Sequence, residues 1–152
     1  MNKEEKERRK DDFEAWVTFI PDEVAELKKM LPKELSETLD YSINSLNNLE
    51  KYLLQSYSSE TFVNAENKIL LDRLARYIGL TFKRNIPTSY WDIELDDEKD
   101  VYYTLPVIKI KDINLAPFSP HMLVTTTLDR ERGTFLSSIL ENTRKVIEKK
   151  SN

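Results

Sequence analysis

The sequence predicts a helix-rich α+β fold: a single domain with a small antiparallel sheet at about 90–111, flanked by N-terminal and C-terminal helices. Three observations carry this. Apolar residues recur at three- and four-residue spacing through much of the first 85 positions, which is the helical period. The period then changes to two, with Trp91, Ile93 and Leu95 alternating with Tyr90, Asp92 and Glu94. After Ser119-Pro120 the helical pattern returns. Strands set apart from helices indicate α+β rather than a wound parallel sheet. With 152 residues and 39% apolar side chains, the chain has material for one core. We read 1–12 as a charged arm and 13–152 as the domain.

The arm holds five basic and five acidic side chains and has no apolar face. It is expected to be a frayed helix that becomes ordered at Phe13, with Trp16, Val17 and Ile20 as the next anchors. Pro21 starts a short helix whose stripe is Val24, Leu27 and Leu31. Asp22 and Glu23 at its start and Lys28 and Lys29 at its end suit the helix dipole. A long amphipathic helix is expected over 33–57, because Leu35, Leu39, Ile43, Leu46, Leu49 and Leu53 share one face. Ser58-Ser59-Glu60 breaks the pattern. A second long helix is expected over 61–84, lined by Ile69, Leu70, Leu74, Tyr77, Ile78 and Phe82. Ala75 and Gly79 lie four apart on it, a pairing that lets another backbone pack closely.

Ile86-Pro87 ends that helix, since a residue before proline is pushed out of the α region. Two or three antiparallel strands follow, through Val101, Tyr103, Leu105 and Val107 to Lys111, with Asp97-Glu98-Lys99 as a hairpin tip. Ser119 then caps a helix with Pro120 at its first position. The β-prone run Val124-Thr125-Thr126-Thr127 works against that helix. Gly133 closes it and Thr134 caps the last helix. Phe135, Leu136, Ile139, Leu140, Val146 and Ile147 face inward there, and Lys145, Lys149 and Lys150 sit near its end.

Composition narrows the function classes. There are 23 basic against 27 acidic residues, a net charge of −4, which argues against nucleic-acid binding. The chain has no cysteine and one histidine, so thiolate and histidine-rich metal sites are excluded, as are cysteine nucleophiles. The opening segment lacks the apolar stretch of a signal peptide, and no run of about 20 apolar residues exists to span a bilayer. A cytoplasmic location is expected. Two glycines cannot build a phosphate loop. His121 follows a helix-starting proline with no nucleophile nearby, so it reads as a capping or surface residue.

The densest chemistry is the stretch 92–100, with six acids and one lysine. It lacks the glycine and spacing of a calcium loop, and no metal or cofactor is expected. A hairpin tip is too exposed for a general-acid pair. Charged edge strands resist sheet-to-sheet pairing. The same acids beside Tyr90 and Tyr102 also suit a basic protein partner, with charge speeding association and tyrosine anchoring it. Tyr90, Asp92, Glu94, Asp96, Asp97, Glu98, Asp100 and Tyr102 are therefore the candidate partner-binding residues.

The segment Leu71 to Phe82, containing Tyr77-Ile78-Gly79 and Phe82, is followed by Trp91 and by Leu105-Pro106-Val107-Ile108. This resembles a pattern in small bacterial α+β proteins of the immunity-protein type. Those proteins join a helix ending in Tyr-Ile-Gly-x-x-Phe to a strand opening on tryptophan and then to a proline-bearing strand. The match spans roughly 35–110. This chain has Thr88-Ser89-Tyr90 where such proteins often carry a glycine before the tryptophan. The resemblance implies a protein that neutralises a bacterial toxin by occlusion, as in toxin–antitoxin systems, possessing no catalysis of its own. The partner would then be a basic toxin domain, met by a monomer or homodimer. The alternative is a self-associating structural or regulatory module, using the helix 33–57 or the charged arm. An enzyme would have to work with carboxylates, lysine or tyrosine alone, and would show strongly shifted carboxyl groups in a closed pocket.

Overall fold

The computed structural model describes residues 1–151, with side chains through Lys150. Helices dominate, in the order α1 (Lys3–Thr18), α2 (Ile20–Met30), α3 (Lys33–Ser36), α4 (Ile43–Ser56), α5 (Ser59–Phe62) and, after a 3-10 turn, α6 (Lys68–Asn85). Strands β1 (Ser89–Ile93) and β2 (Pro106–Ile110) follow, then α7 (Pro120–Arg130) and α8 (Phe135–Ser151). The fold is α+β.

The charged arm belongs to α1, which is helical from Lys3 rather than from Phe13. Asn2 caps it, its side chain accepting from the Glu5 amide at 2.9 Å. Acids in the first turn favour the dipole. α1 nevertheless fully buries no residue: positions 3–12 have no apolar face, and Trp16 and Val17 beyond them are only half-buried against the core.

α6 is the central helix. Leu70, Leu74, Ala75, Tyr77, Ile78 and Phe82 are all buried on it. α2 and α7 pack along it, and α4 packs against α8. Arg73 ties α6 to α2 by donating to Glu23 at 2.8 Å. Ile69, placed on the inner face from sequence, is instead exposed. Its neighbour Leu70, in the same first turn, is buried, so Ile69 falls off the Leu70–Leu74–Ile78 stripe that faces the core.

Both long predicted helices are interrupted. The first breaks at 37–42, where Tyr41 takes a left-handed φ of 65° and Ser42 caps α4 by accepting from Ser45 N. Hydrogen bonds, one buried and two half-buried, hold this break open. Tyr77 Oη accepts from Tyr41 N at 3.0 Å and lies 2.6 Å from Ser45 Oγ, while Asn85 donates to the Tyr41 carbonyl at 2.9 Å. Leu39 remains buried, but from a loop. The second breaks at Val63–Asn67, after a capping box in which Ser58 and Thr61 satisfy each other's amides.

β1 and β2 are antiparallel with Trp91 opposite Ile108. A short bridge from Ile108 to Phe118 extends this two-stranded sheet at its other edge. The third strand allowed for at 101–105 does not form. Residues 94–105 are a folded loop, in which Thr104 takes a φ of 66° and Val101 is 78% exposed. Ser119 and Pro120 start α7 as expected, and Thr127 is held in the helix by donating to the Leu123 carbonyl at 2.7 Å. α7 ends on Glu131 in the left-handed region rather than directly on Gly133, which takes a φ of 90° in the following turn.

Gly79 makes room for a ring, not for a second helix backbone. A Cβ there would lie 2.6 Å from Trp91 Cζ2 and 3.1 Å from Pro120 Cγ. Gly79→Ala is expected to lower stability by about 1 kcal/mol. Overpacking outweighs the gain in helix propensity there. Urea titration checks this, and a more stable variant would contradict it.

Candidate functional site

The acidic candidates all lie on the β1–β2 hairpin, but their side chains divide into two groups. On β1, Tyr90 lies on the outer surface with the Lys111 ammonium 5.9 Å from its ring centroid. Asp92 is spent across the sheet, accepting from Lys109 Nζ at 2.6 Å. In the loop, several carboxylates order the backbone that carries them. Glu94 Oε2 accepts from the amides of Asp96 and Asp97 at 2.9 and 3.2 Å. Asp97 Oδ1 accepts from Lys99 N and Asp100 Oδ1 from Tyr102 N, at 3.0 and 2.8 Å. The Thr104 amide closes the loop on the Glu94 carbonyl at 2.9 Å. Short acids favour such turns because their oxygens reach amides two or three residues on. Tyr102 is half-buried in this loop, so Tyr90 is the more available aromatic.

Asp96 and Glu98 point outward, 81% and 73% exposed at their side chains. Both meet cations, one on α1 and one on Met1 just before it. Lys6 Nζ donates to Asp96 Oδ1 at 2.8 Å, and the Met1 amine lies 4.0 Å from Glu98. The Asp96 carboxylate raises the Lys6 pKa through this hydrogen bond and its charge. The loop thus joins a rigid acidic surface to the first turns of α1.

Between α1 and the hairpin lies an open pocket of about 280 Å³. Phe13, Trp16, Ile93, Leu105 and Pro106 form its apolar walls, and Arg9, Asp12, Thr104, Asp72 and His121 supply polar groups. Its floor is a network that sequence reasoning missed. Asp72 Oδ1 accepts from Trp16 Nε1 at 2.9 Å and from His121 Nε2 at 3.0 Å, and Asp72 Oδ2 accepts from Arg76 Nε at 2.9 Å. Arg76 also donates to the Trp16 carbonyl at 2.7 Å and stacks 4.5 Å over the Trp16 ring. Trp16 in turn meets Trp91 edge to face, 5.1 Å between centroids. Partial burial works against ionising Asp72. The hydrogen bonds from His121, Trp16 and Arg76, with the Arg76 charge, outweigh it and hold the carboxyl well below its ordinary 3.8.

His121 is therefore neither a capping nor a surface residue. It lies largely buried against Asp72, and its Nδ1 is enclosed without a hydrogen-bond partner. This bears on catalysis. A general acid needs a carboxyl shifted upward, whereas Asp72 is shifted downward and committed to three donors. In this geometry His121 Nε2 is bound to Asp72 and Nδ1 is enclosed. The network's evident work is to fasten α1, α6 and α7 beneath the hairpin. The one sequence clue to it was the Asp72–Arg76 spacing of four on a helix. The partners Trp16 and His121 come from 56 and 49 residues away.

Among the described residues no group of histidines, aspartates and glutamates is placed to hold a metal ion. No helix there is long and apolar enough to cross a membrane. Compared with family models, curated proteins and solved structures, the chain matches none.

Proposed function

We propose that this chain is a protein-binding domain of the immunity type, working in the cytoplasm without catalysis, and that it neutralises a toxin by covering its basic face with the acidic hairpin loop. The observation that carries this reading is the loop 94–105. Glu94, Asp97, Asp100 and the Thr104 amide lock the backbone, while Asp96, Glu98 and Val101 are left facing solvent and Asp97, bonded to the Lys99 amide, stays exposed beside them. A charged surface ordered before encounter loses little conformational entropy on binding and steers an opposite charge toward it. Tyr90, on the adjoining strand, offers an aromatic anchor. The resemblance across 35–110 supplies the toxin as the class of partner. The enclosed histidine and committed Asp72 support a non-catalytic role.

The test is the association rate with the toxin partner co-purified from the native host. Replacing Asp96, Asp97 and Glu98 together by lysine is expected to slow association about tenfold or more at low salt. The core should stay intact, read as an unchanged near-UV circular dichroism signal of the buried aromatic residues, since none of the three side chains is buried. Raising ionic strength should slow the unmodified protein toward the same value. An association rate indifferent to both changes would reject this surface.

A further inference from the structure

The first three turns of α1 occupy the surface just described. Before Phe13, the polar ties of this helix to the rest of the described chain are the Lys6–Asp96 pair and the amine near Glu98. It buries no residue. Beyond Phe13 the attachment changes character, because Trp16 is bonded to Asp72 by its ring and to Arg76 by its carbonyl. The helix is thus firmly pinned at Trp16, and toward its N-terminus it is held by the exposed Lys6–Asp96 pair and by Met1, whose side chain is 8% exposed. An exposed ion pair is a weak, salt-screened tie, and a ten-residue helix with no apolar face frays readily once that tie is lost.

Lys6 and Phe13 are seven residues apart, two turns, and so share one face of α1. That face places a cation on Asp96 and an aromatic ring at the pocket formed with Trp16, Ile93, Leu105 and Pro106. We propose that the first three turns of α1 are an intramolecular stand-in for the basic partner: they occupy Asp96 and cover one side of the pocket until a partner helix with a lysine or arginine and an aromatic residue seven positions apart displaces them. This rests on the basic-partner reading above and adds the form of the partner's contact segment and the regulation of its access. The pocket is the apolar seat that such an aromatic would fill after the acidic loop has captured the cation.

The test uses the full chain. It has no cysteine, so a spin label on a Glu7→Cys variant is site-specific. Paramagnetic broadening of the 96–101 amides then reports whether α1 lies on the loop. The probe is a synthetic helical peptide with Lys and Phe seven positions apart, and the control has the Phe moved two positions off that face. Broadening is expected at low salt. It should be lost at about 0.5 M salt, where screening is short-ranged, and at saturating probe peptide. Lys6→Gln should tighten probe binding roughly threefold, because the competent state no longer competes with the arm. The control should bind about tenfold more weakly. If neither the unmodified protein nor Lys6→Gln binds the probe, the basic-partner reading fails and this inference falls with it. If the probe binds but broadening persists and Lys6→Gln changes nothing, the stand-in alone is overturned.

Discussion

Glu50→Ala is expected to lose about 3–4 kcal/mol of stability, a large share of what a domain of this size possesses. Glu50 has 0% exposure, inside α4, and its two carboxylate oxygens accept from the Phe135 and Leu136 amides at 3.0 and 2.9 Å. These are orphan donors at the start of α8, which no earlier turn of that helix satisfies. The sequence placed Thr134 in this capping role. In the structure the Thr134 carbonyl accepts from Ser138 N, and the carboxylate comes from a different helix. A negative charge there also suits the helix dipole. Removing it strands two buried N–H groups and leaves a cavity. Glu50→Gln should fall between, since its amide nitrogen cannot accept. Urea denaturation measures the loss. Hydrogen exchange should show α8 amides opening first, because α8 packs mainly on α4. A cost below about 1 kcal/mol would mean that water takes over the cap.

Asp72→Ala should cost about 2–3 kcal/mol, a figure reduced from the sum of three charge-assisted bonds because the side chain is 35% exposed and water can reach the donors left behind. Its acid behaviour is more specific. The folded carboxyl sits below its ordinary 3.8, so Asp72 stabilises the fold fully above that value. The contribution declines as pH falls from about 4 toward the depressed folded value. Asp72→Asn removes that titration. Between about pH 5 and 2.5 the stability of the unmodified protein should therefore fall more steeply than that of Asp72→Asn, and the gap between them should narrow. The remaining carboxylates are common to both proteins and drop out of the comparison. Parallel curves would show that Asp72 is not held ionised by this network. The Trp16 indole N–H resonance offers a second reading, since it should move in Asp72→Asn.

Much of the fold was legible because it follows from local chemistry. The stripes Val24–Leu27–Leu31 and Leu46–Leu49–Leu53 are buried as their spacing requires, and Trp91 faces inward on β1. Glu50 was not read from the sequence, although a charge at the fourth position after Leu46 falls inside an apolar stripe and offered a signal for a buried partner. Neither was the break at Tyr41. Periodicity runs through it, and the bonds that favour the left-handed turn come from Tyr77 and Asn85, 36 and 44 residues away.

By itself the sequence determined the fold class, the hairpin and the concentration of acids on it, because helical and strand periods and local charge are properties of neighbours along the chain. Only the tertiary structure decided which acids face outward, which are used up within the loop, and which lone histidine meets which aspartate. The acids used up within the loop bond amides two or three residues on, but Asp96 and His121 meet partners 90 and 49 residues away, and a buried carboxylate or an ion pair takes its meaning from the partner that folding places beside it.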